Sequence, residues 1–404
     1  MRRRAFLGMA AAAPFTTGAR GQKSVPDVIK KLKPMTGGIQ PISADERRAR
    51  IAKAQSLMRE HKMGALVLEG GTSMFYYMGT RGNAGGMLVL PAKGQPAWVV
   101  AAADGGSVHG DVRTFAAGGD PYKLVVQALQ DRGAGGTVGI EERVRFAVFD
   151  GLRKEAPSLE FVSGDPVTVG CRVIKSPAEI ALMQRANDVT IAAYRAALST
   201  LYEGMDQREL SSNIDAAYAA LGFRGNALVI FGKYTAFPHG SVQPQKLKEG
   251  DLVLVDDGCS VEGYQSDITR TVIFGKPTAR QRQVWDLERK AQDAALAAAN
   301  VGATCESVDA AARKVITDAG FGPGYKVPGL PHRTGHGIGL DGHEWTYLVK
   351  GNKTRIQPGM CFSDEPTISI YGEFGVRLED CMYATENGAR MFTRQSPAID
   401  QPFG

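Results

Sequence analysis

The chain predicts two domains in series, an α/β domain followed by a larger α+β domain, and three observations carry that expectation. Between about residues 44 and 170, short apolar runs alternate with helical patterns, as expected of strands and helices packed in layers. Beyond residue 175, long helical patterns are interleaved with hairpins, which suits an α+β domain. A length of 404 residues with 43% hydrophobic content fits two domains of roughly 100–200 residues each.

The N-terminus reads Arg3-Arg4-Ala5-Phe6-Leu7, then an alanine-rich stretch to Ala13 and the small residues Thr16-Thr17-Gly18-Ala19. It resembles a twin-arginine export signal over residues 1–19, which implies a periplasmic or secreted protein. Its apolar run is far below the ~20 residues that span a bilayer, so no membrane anchor is expected in the mature chain. Residues 20–43 are rich in Pro, Gly and Lys without apolar periodicity and read as a linker.

The first domain is expected over 44–172. Ser43-Ala44-Asp45-Glu46 is a capping-box pattern, and Ile51, Ala54, Leu57 and Met58 follow at helical spacing up to Gly64. Strands are expected at 65–68, 87–90, 97–102 and 138–140, and a helix at 122–131. A second box, Ser176-Pro177-Ala178-Glu179, opens a long helix to about Tyr202 and with it a domain over 173–396. Within that domain the patterns predict helices at 206–221, 279–299 and 306–319. Strands are expected around 227–231, 252–274 and beyond 360.

The formal net charge is +6, but the first 34 residues hold eight basic side chains against Asp27 alone. The rest of the chain therefore carries −1, which argues against a nucleic-acid-binding face. The five cysteines (Cys171, Cys259, Cys305, Cys361 and Cys381) are odd in number and lack Cys-x-x-Cys spacing. Neither a disulfide framework nor a thiolate zinc site is indicated, and buried packing residues are the expectation.

The chemistry-bearing residues lie in the second domain. Leu252-Val253-Leu254-Val255-Asp256 and Tyr264-Gln265-Ser266-Asp267 flank Ser260-Val261-Glu262-Gly263, read as a hairpin with a four-residue turn. If Ser260 faces Gly263, Asp256 falls opposite Asp267, and two facing carboxylates call for a cation between them. Further on, Glu365 and Glu379 are symmetric about Gly372 and face one another in the same way, with Arg377 on the same face as Glu379. Four carboxylates balance two divalent ions. His332-Arg333-Thr334-Gly335-His336 lies between the hairpins, and one of its histidines is a natural fifth ligand. Singly, any of these acids reads best as a solvated charge and any of these histidines as a structural one. Jointly they do not, because four of the six histidines (His239, His332, His336 and His343) fall in the same region, and burying that many acids without cations costs several kcal/mol apiece.

These residues bring a family into view. Asp256-x-Gly258 with Tyr264-x-x-Asp267-x-Thr269-Arg270-Thr271, His332-x-x-x-His336-x-Ile338-Gly339, Asp364-Glu365-Pro366 and Arg377-x-Glu379-Asp380 resemble the motifs of the pita-bread (M24) metallopeptidases. That group includes aminopeptidase P, prolidase, methionine aminopeptidase and creatinase. The resemblance implies a creatinase-like N-terminal α/β domain and an α+β pita-bread catalytic domain. It makes Asp256, Asp267, His336, Glu365 and Glu379 the metal ligands, with Asp267 and Glu379 bridging. His239 resembles the substrate-contacting histidine, His332 and His343 the histidines that handle protons and the polarised carbonyl, and Arg377 an outer arginine. Glu365 is the candidate general base. Two divalent ions are implied, Mn first, with Co, Zn or Fe open, and homodimers or homotetramers are usual among similar proteins.

The activity so implied is cleavage of the Xaa-Pro bond at the N-terminus of short peptides, in the manner of aminopeptidase P. The alternatives are prolidase action on Xaa-Pro dipeptides, a metal-dependent small-amide hydrolase or lyase on the same scaffold, and last a catalytically dead binding module.

Overall fold

The computed structural model describes residues 24–82 and 85–403; the expected export segment over 1–19 lies outside them. Ten helices are found among the described residues. They are α1 (Asp27–Lys30), α2 (Ala44–Glu60), α3 (Thr72–Met78), α4 (Pro121–Asp131), α5 (Phe146–Glu155), α6 (Asp165–Arg172), α7 (Pro177–Leu198), α8 (Gln207–Leu221), α9 (Ala279–Ala298) and α10 (Cys305–Asp318). The first domain is built on strands β1 (Ala65–Glu69), β2 (Met87–Pro91), β3 (Ala97–Ala101), β4 (Asp111–Phe115), β5 (Thr137–Ile140) and β6 (Glu160–Ser163).

These six strands form one mixed sheet in the order β4-β3-β2-β1-β5-β6. Successive side chains of a strand point to opposite faces, and both faces of this sheet are covered. Leu66, Leu68, Leu88 and Leu90 join one core with Met58 of α2. Ala65, Val67, Met87 and Val89 join another with Val125 and Leu129 of α4 and Leu152 of α5. Double coverage is why these strands read as unbroken apolar runs. The α3, α5 and α6 helices and the β4 and β6 strands carry no such run, and periodicity did not announce them.

Residues 24–42, expected as a linker, differ from that expectation. They include α1, whose Ile29 is fully buried, and Met35 N–H donates to Leu221 O at 2.9 Å, so the segment is packed on α8. The two caps also differ from one another. Ser43 accepts from Glu46 N–H, but the Glu46 carboxylate turns to Arg50 and Ser176. The box at Ser176 and Glu179 is closed in both directions.

In the second domain the α7/α8 and α9/α10 pairs lie to either side of antiparallel strands. Strands β7 (Leu228–Phe231), β8 (Leu252–Asp256), β9 (Ser260–Val261), β10 (Tyr264–Gln265) and β11 (Arg270–Ile273) come first. Then follow β12 (Gly335–Gly337), β13 (Glu344–Leu348), β14 (Cys361–Asp364), β15 (Thr367–Ile370), β16 (Phe374–Arg377), β17 (Asp380–Thr385) and β18 (Gly388–Met391). They form a three-stranded sheet β11-β8-β7, a five-stranded sheet β13-β12-β14-β17-β18 and the hairpins β9/β10 and β15/β16. All five cysteines are free and buried. Among the described residues no helix is long and apolar enough to cross a membrane.

Two ionic networks join the domains. In the first, Arg50 of α2 lies over the Tyr76 ring and pairs with Glu46 (2.8 Å) and Glu179 (3.4 Å). It also donates to the Tyr264 hydroxyl at 3.0 Å, which itself donates to Glu179 at 2.8 Å. The tip of the metal-site hairpin is thereby tied to the first domain. The second network runs from Arg172 and Lys175 to Asp341 and Glu344.

Candidate metal centre

The first acid pair sits on the β8–β11 hairpin, whose register corrects the expected one. Arg270 lies opposite Val255, the ladder continues through Ile268 N–H to Asp257 O and Ser266 N–H to Cys259 O, and Tyr264 lies opposite Val261. The turn is therefore Glu262-Gly263, with φ of 49° and 86°, as in a two-residue type I′ turn. Asp256 faces Thr269, not Asp267. A displacement of two residues keeps every side chain on its own face, so Asp267 stays beside Asp256 on the diagonal. One oxygen from each of Asp256, Asp267 and Glu379 lies within 4.8 Å of the others.

The second hairpin has the expected register. Thr367 lies opposite Arg377 in one ladder and Ser363 opposite Cys381 in the other, so Glu365 and Glu379 face each other at the break between them. Their N–H groups are used elsewhere: Glu365 donates to Thr334 O (2.8 Å) and Glu379 to Thr269 O (3.1 Å). The histidine loop and the first hairpin are thus both stitched to the glutamate pair.

His336 is buried, and its Nδ1 lies 3.1 Å from Gly337 O. A carbonyl only accepts, so Nδ1 carries the proton and Nε2 presents a lone pair to the site. That Nε2 is 3.3 Å from Glu365 Oε1 and 3.6 Å from Asp267 Oδ2. His336, Glu365 and Glu379 form a second donor group, and Asp267, His336 and His343 a third. Asp267, His336 and Glu379 each belong to two of the three.

All nine residues singled out from the sequence line one cleft of about 610 Å³: His239, Asp256, Asp267, His332, His336, His343, Glu365, Arg377 and Glu379, with Pro238 and Arg333 beside them. Arg377 contacts Asp256 directly and donates to Thr269 Oγ1 (3.1 Å) and Pro238 O (3.1 Å). Thr269 Oγ1 is 2.6 Å from Asp256 Oδ1 and 2.7 Å from Glu379 Oε2. His332 spends both nitrogens within the fold, on Arg333 O and Thr367 Oγ1. His343 Nδ1 receives a hydrogen bond from Arg333 (3.1 Å), so its proton is on Nε2. His239 stands exposed at the rim.

The electrostatics test whether a cation pair fits. Burial, then the charge of Asp256, holds Asp267 well above the carboxylate range; burial, then Asp267, does the same to Glu379. Burial lifts Glu365 to about 7 against the opposing charge of Arg377. Burial and the Arg377 charge push His332 down to about 3. Glu379 Oε1 is buried with no hydrogen-bond partner. Carboxylates so crowded ionise together only beside compensating charge, and one imidazole with four hard oxygen donors suits divalent cations. The residues fit.

Sequence reasoning missed several supports. Asp309 of α10 accepts from both the N–H and the hydroxyl of Thr334 and pairs with Arg313, which pins the histidine loop. Ser363 Oγ receives His336 N–H and points at Glu365. The Arg270–Asp380 pair is fully buried behind the site. Only Arg270 and Asp380 had a signal, as motif members.

Comparison with known proteins gives the same picture. Residues 181–386 match the model of metallopeptidase family M24 and residues 50–174 that of the creatinase/prolidase N-terminal domain. The Xaa-Pro dipeptidase of Lactobacillus helveticus is 35% identical over 74% of this chain and 82% of its own length. A probable dipeptidase PepE of Mycobacterium bovis is 34% identical over 87% and 96%. The solved structure of dipeptidase PepE from Mycobacterium ulcerans superposes with a TM-score of 0.82 at 31% identity, covering 89% of this chain and 99% of that one. A creatinase-type first domain, a pita-bread second domain and a cleft of carboxylates and histidines suited to divalent metal together make this chain a peptide-bond hydrolase that belongs to metallopeptidase family M24.

Proposed function

We propose that the chain is an Xaa-Pro dipeptidase working with two divalent cations, manganese first among them. This is the alternative reading of the sequence, preferred here to aminopeptidase P action. The observation that carries it is the convergence of nine expected residues on one cleft in a chain whose relatives include Xaa-Pro dipeptidases.

A second observation favours a dipeptide. Arg333 lines the cleft with its guanidinium over the Tyr347 ring, 4.7 Å from the centroid, and its Nε is buried without a partner. It has no carboxylate partner among the described residues. A cation so placed suits the free carboxylate of a two-residue substrate.

Asp256, Asp267, His336, Glu365 and Glu379 would hold the cations. Bound there, such ions polarise a carbonyl and bring the pKa of water to about 7. Glu365, facing the cleft, takes a proton from the attacking water and returns it towards the departing proline nitrogen. His343 offers its Nε2–H to the carbonyl oxygen as negative charge grows there. Arg377, bonded to Asp256 and Thr269, holds those two groups in place.

The test offers the Mn-, Co- or Zn-loaded protein Xaa-Pro, Xaa-Pro-amide, Xaa-Pro-Yaa and Met-Ala-Yaa. Cleavage of Xaa-Pro with poor cleavage of its amide is expected. Preference for Xaa-Pro-Yaa restores the aminopeptidase reading, and no cleavage of any Xaa-Pro substrate overturns both. Export through residues 1–19 belongs to the same reading, and fractionation of cells expressing the chain with and without Arg3-Arg4 tests it.

A further inference from the structure

Among the described residues, the first domain contributes none to the metal cluster, yet it grips the segment that carries His343. On one side of that histidine, Asp341 Oδ1 receives the Thr72 hydroxyl (2.8 Å) and Arg143 (3.2 Å), and its Oδ2 receives Arg172 (2.7 Å). On the other side, the Glu344 carboxylate is held by the same Arg172 and by Lys175 (3.1 Å), and it accepts Asp341 N–H at 3.1 Å, closing the segment on itself. Arg172 touches both acids. It is the last residue of α6, it is largely buried, and its other terminal nitrogen reaches Ser73 of α3 (3.3 Å).

His343 is the residue that this frame leaves facing the cleft. Its ring lies 4.0 Å from that of His336, at 42°, and Arg333 sets its tautomer. It also lines a second, polar chamber, whose wall includes Arg172, Asp341 and Glu344. Buried charge pairs hold geometry tightly, because loosening either partner leaves an uncompensated charge. Both carboxylates meet the same Arg172 nitrogen, Nη2, and Nη1 anchors the rigid guanidinium plane on Ser73, so the position of that plane fixes where the two acids stand.

We propose that Arg172 is a positioning residue for hydrolysis: by bridging Asp341 and Glu344 it lets the creatinase-type domain set where His343 stands over the metal cluster. The inference rests on the reading of His343 as a donor to the substrate. It gives the first domain a part in the chemical step, through geometry alone.

The experiment compares the Mn-loaded full chain with Arg172→Met, Arg172→Lys, His343→Ala and the Arg172→Met/His343→Ala double variant, on the best Xaa-Pro dipeptide. Metal content and melting temperature are measured for each. His343→Ala should lower kcat. Arg172→Met should lower kcat by about 10–100-fold, the usual effect of losing an orienting partner, with KM and bound metal nearly unchanged. Arg172→Lys should fall between. In the His343→Ala background, Arg172→Met should add nothing, since it acts through the missing side chain. Should Arg172→Met fail to fold, Asp341→Asn takes its place with the same expected silence in that background.

Losses that multiply in the double variant overturn the proposal, as does wild-type kcat in a folded, metal-loaded Arg172→Met. Full activity of His343→Ala overturns both this proposal and the role given to His343. An impaired His343→Ala beside an unimpaired Arg172→Met leaves the proposed function standing and removes only the positioning role.

Discussion

At the scale of single residues, the site is a contest between burial and charge. Asp267 and Glu379 are both held far above the ordinary carboxylate range, with burial the larger cause, and cations relieve that cost by restoring the ionised forms. Asp267→Ala or Glu379→Ala should therefore abolish metal uptake and turnover together, read by metal analysis of the purified variant beside its kcat. Full activity in a metal-stripped protein would sink the mechanism. Thr269 is subtler. Its hydroxyl lies between Asp256 and Glu379, donates its one proton to either of them and accepts from Arg377. Thr269→Val keeps the shape and removes the hydroxyl, and it should weaken metal binding or activity by about 10–100-fold, measured by titrating metal into the stripped protein.

At the scale of elements, two hairpins built on similar sequence patterns differed in legibility. The glutamate hairpin is symmetric about Gly372 and has the register its symmetry implies. The aspartate hairpin does not, because Glu262 adopts a positive φ that a non-glycine residue seldom takes, and the turn is centred one residue later than expected, which moves each cross-strand partner by two. Parity rescued the inference: a shift of two leaves the same residues on the same face. Gly263 takes the second position of that turn at φ 86°, and a Cβ there would meet Phe75 Cε1 of α3 at 3.0 Å. Gly263→Ala should cost about 1–2 kcal/mol for the left-handed backbone alone, seen as a lower urea midpoint. An unchanged midpoint would contradict the turn assignment.

At the scale of the whole molecule, the joint between the domains is ionic and titratable. Glu344 is fully buried, and despite that burial the positive charges of Lys175 and Arg172 hold its carboxyl down to about 2. A depressed carboxyl pKa contributes stability above its unfolded value of about 4.3, and that contribution is lost as pH falls towards the folded value. The full effect is on the order of 3 kcal/mol. Glu344→Gln should lower stability at pH 7 and flatten the decline between about pH 4 and 2, measured by denaturant unfolding across that range. A slope equal to that of the wild type would show that the carboxylate does not carry the linkage.

The sequence by itself determined the fold class, the long capped helices, the doubly covered strands and the identity of the nine cleft residues. Those features are written in local periodicity and in residue types whose burial makes chemical sense only together. Tertiary structure decided what depends on distant partners: that Asp256 faces Thr269, that Asp309 pins Thr334, that residues 24–42 pack on α8, and that Arg172 bridges the two sides of His343. A charged side chain looks the same in sequence whether it meets water or a partner 169 residues away. Only the folded chain brings the partner within hydrogen-bonding reach and removes the water that would otherwise screen the pair.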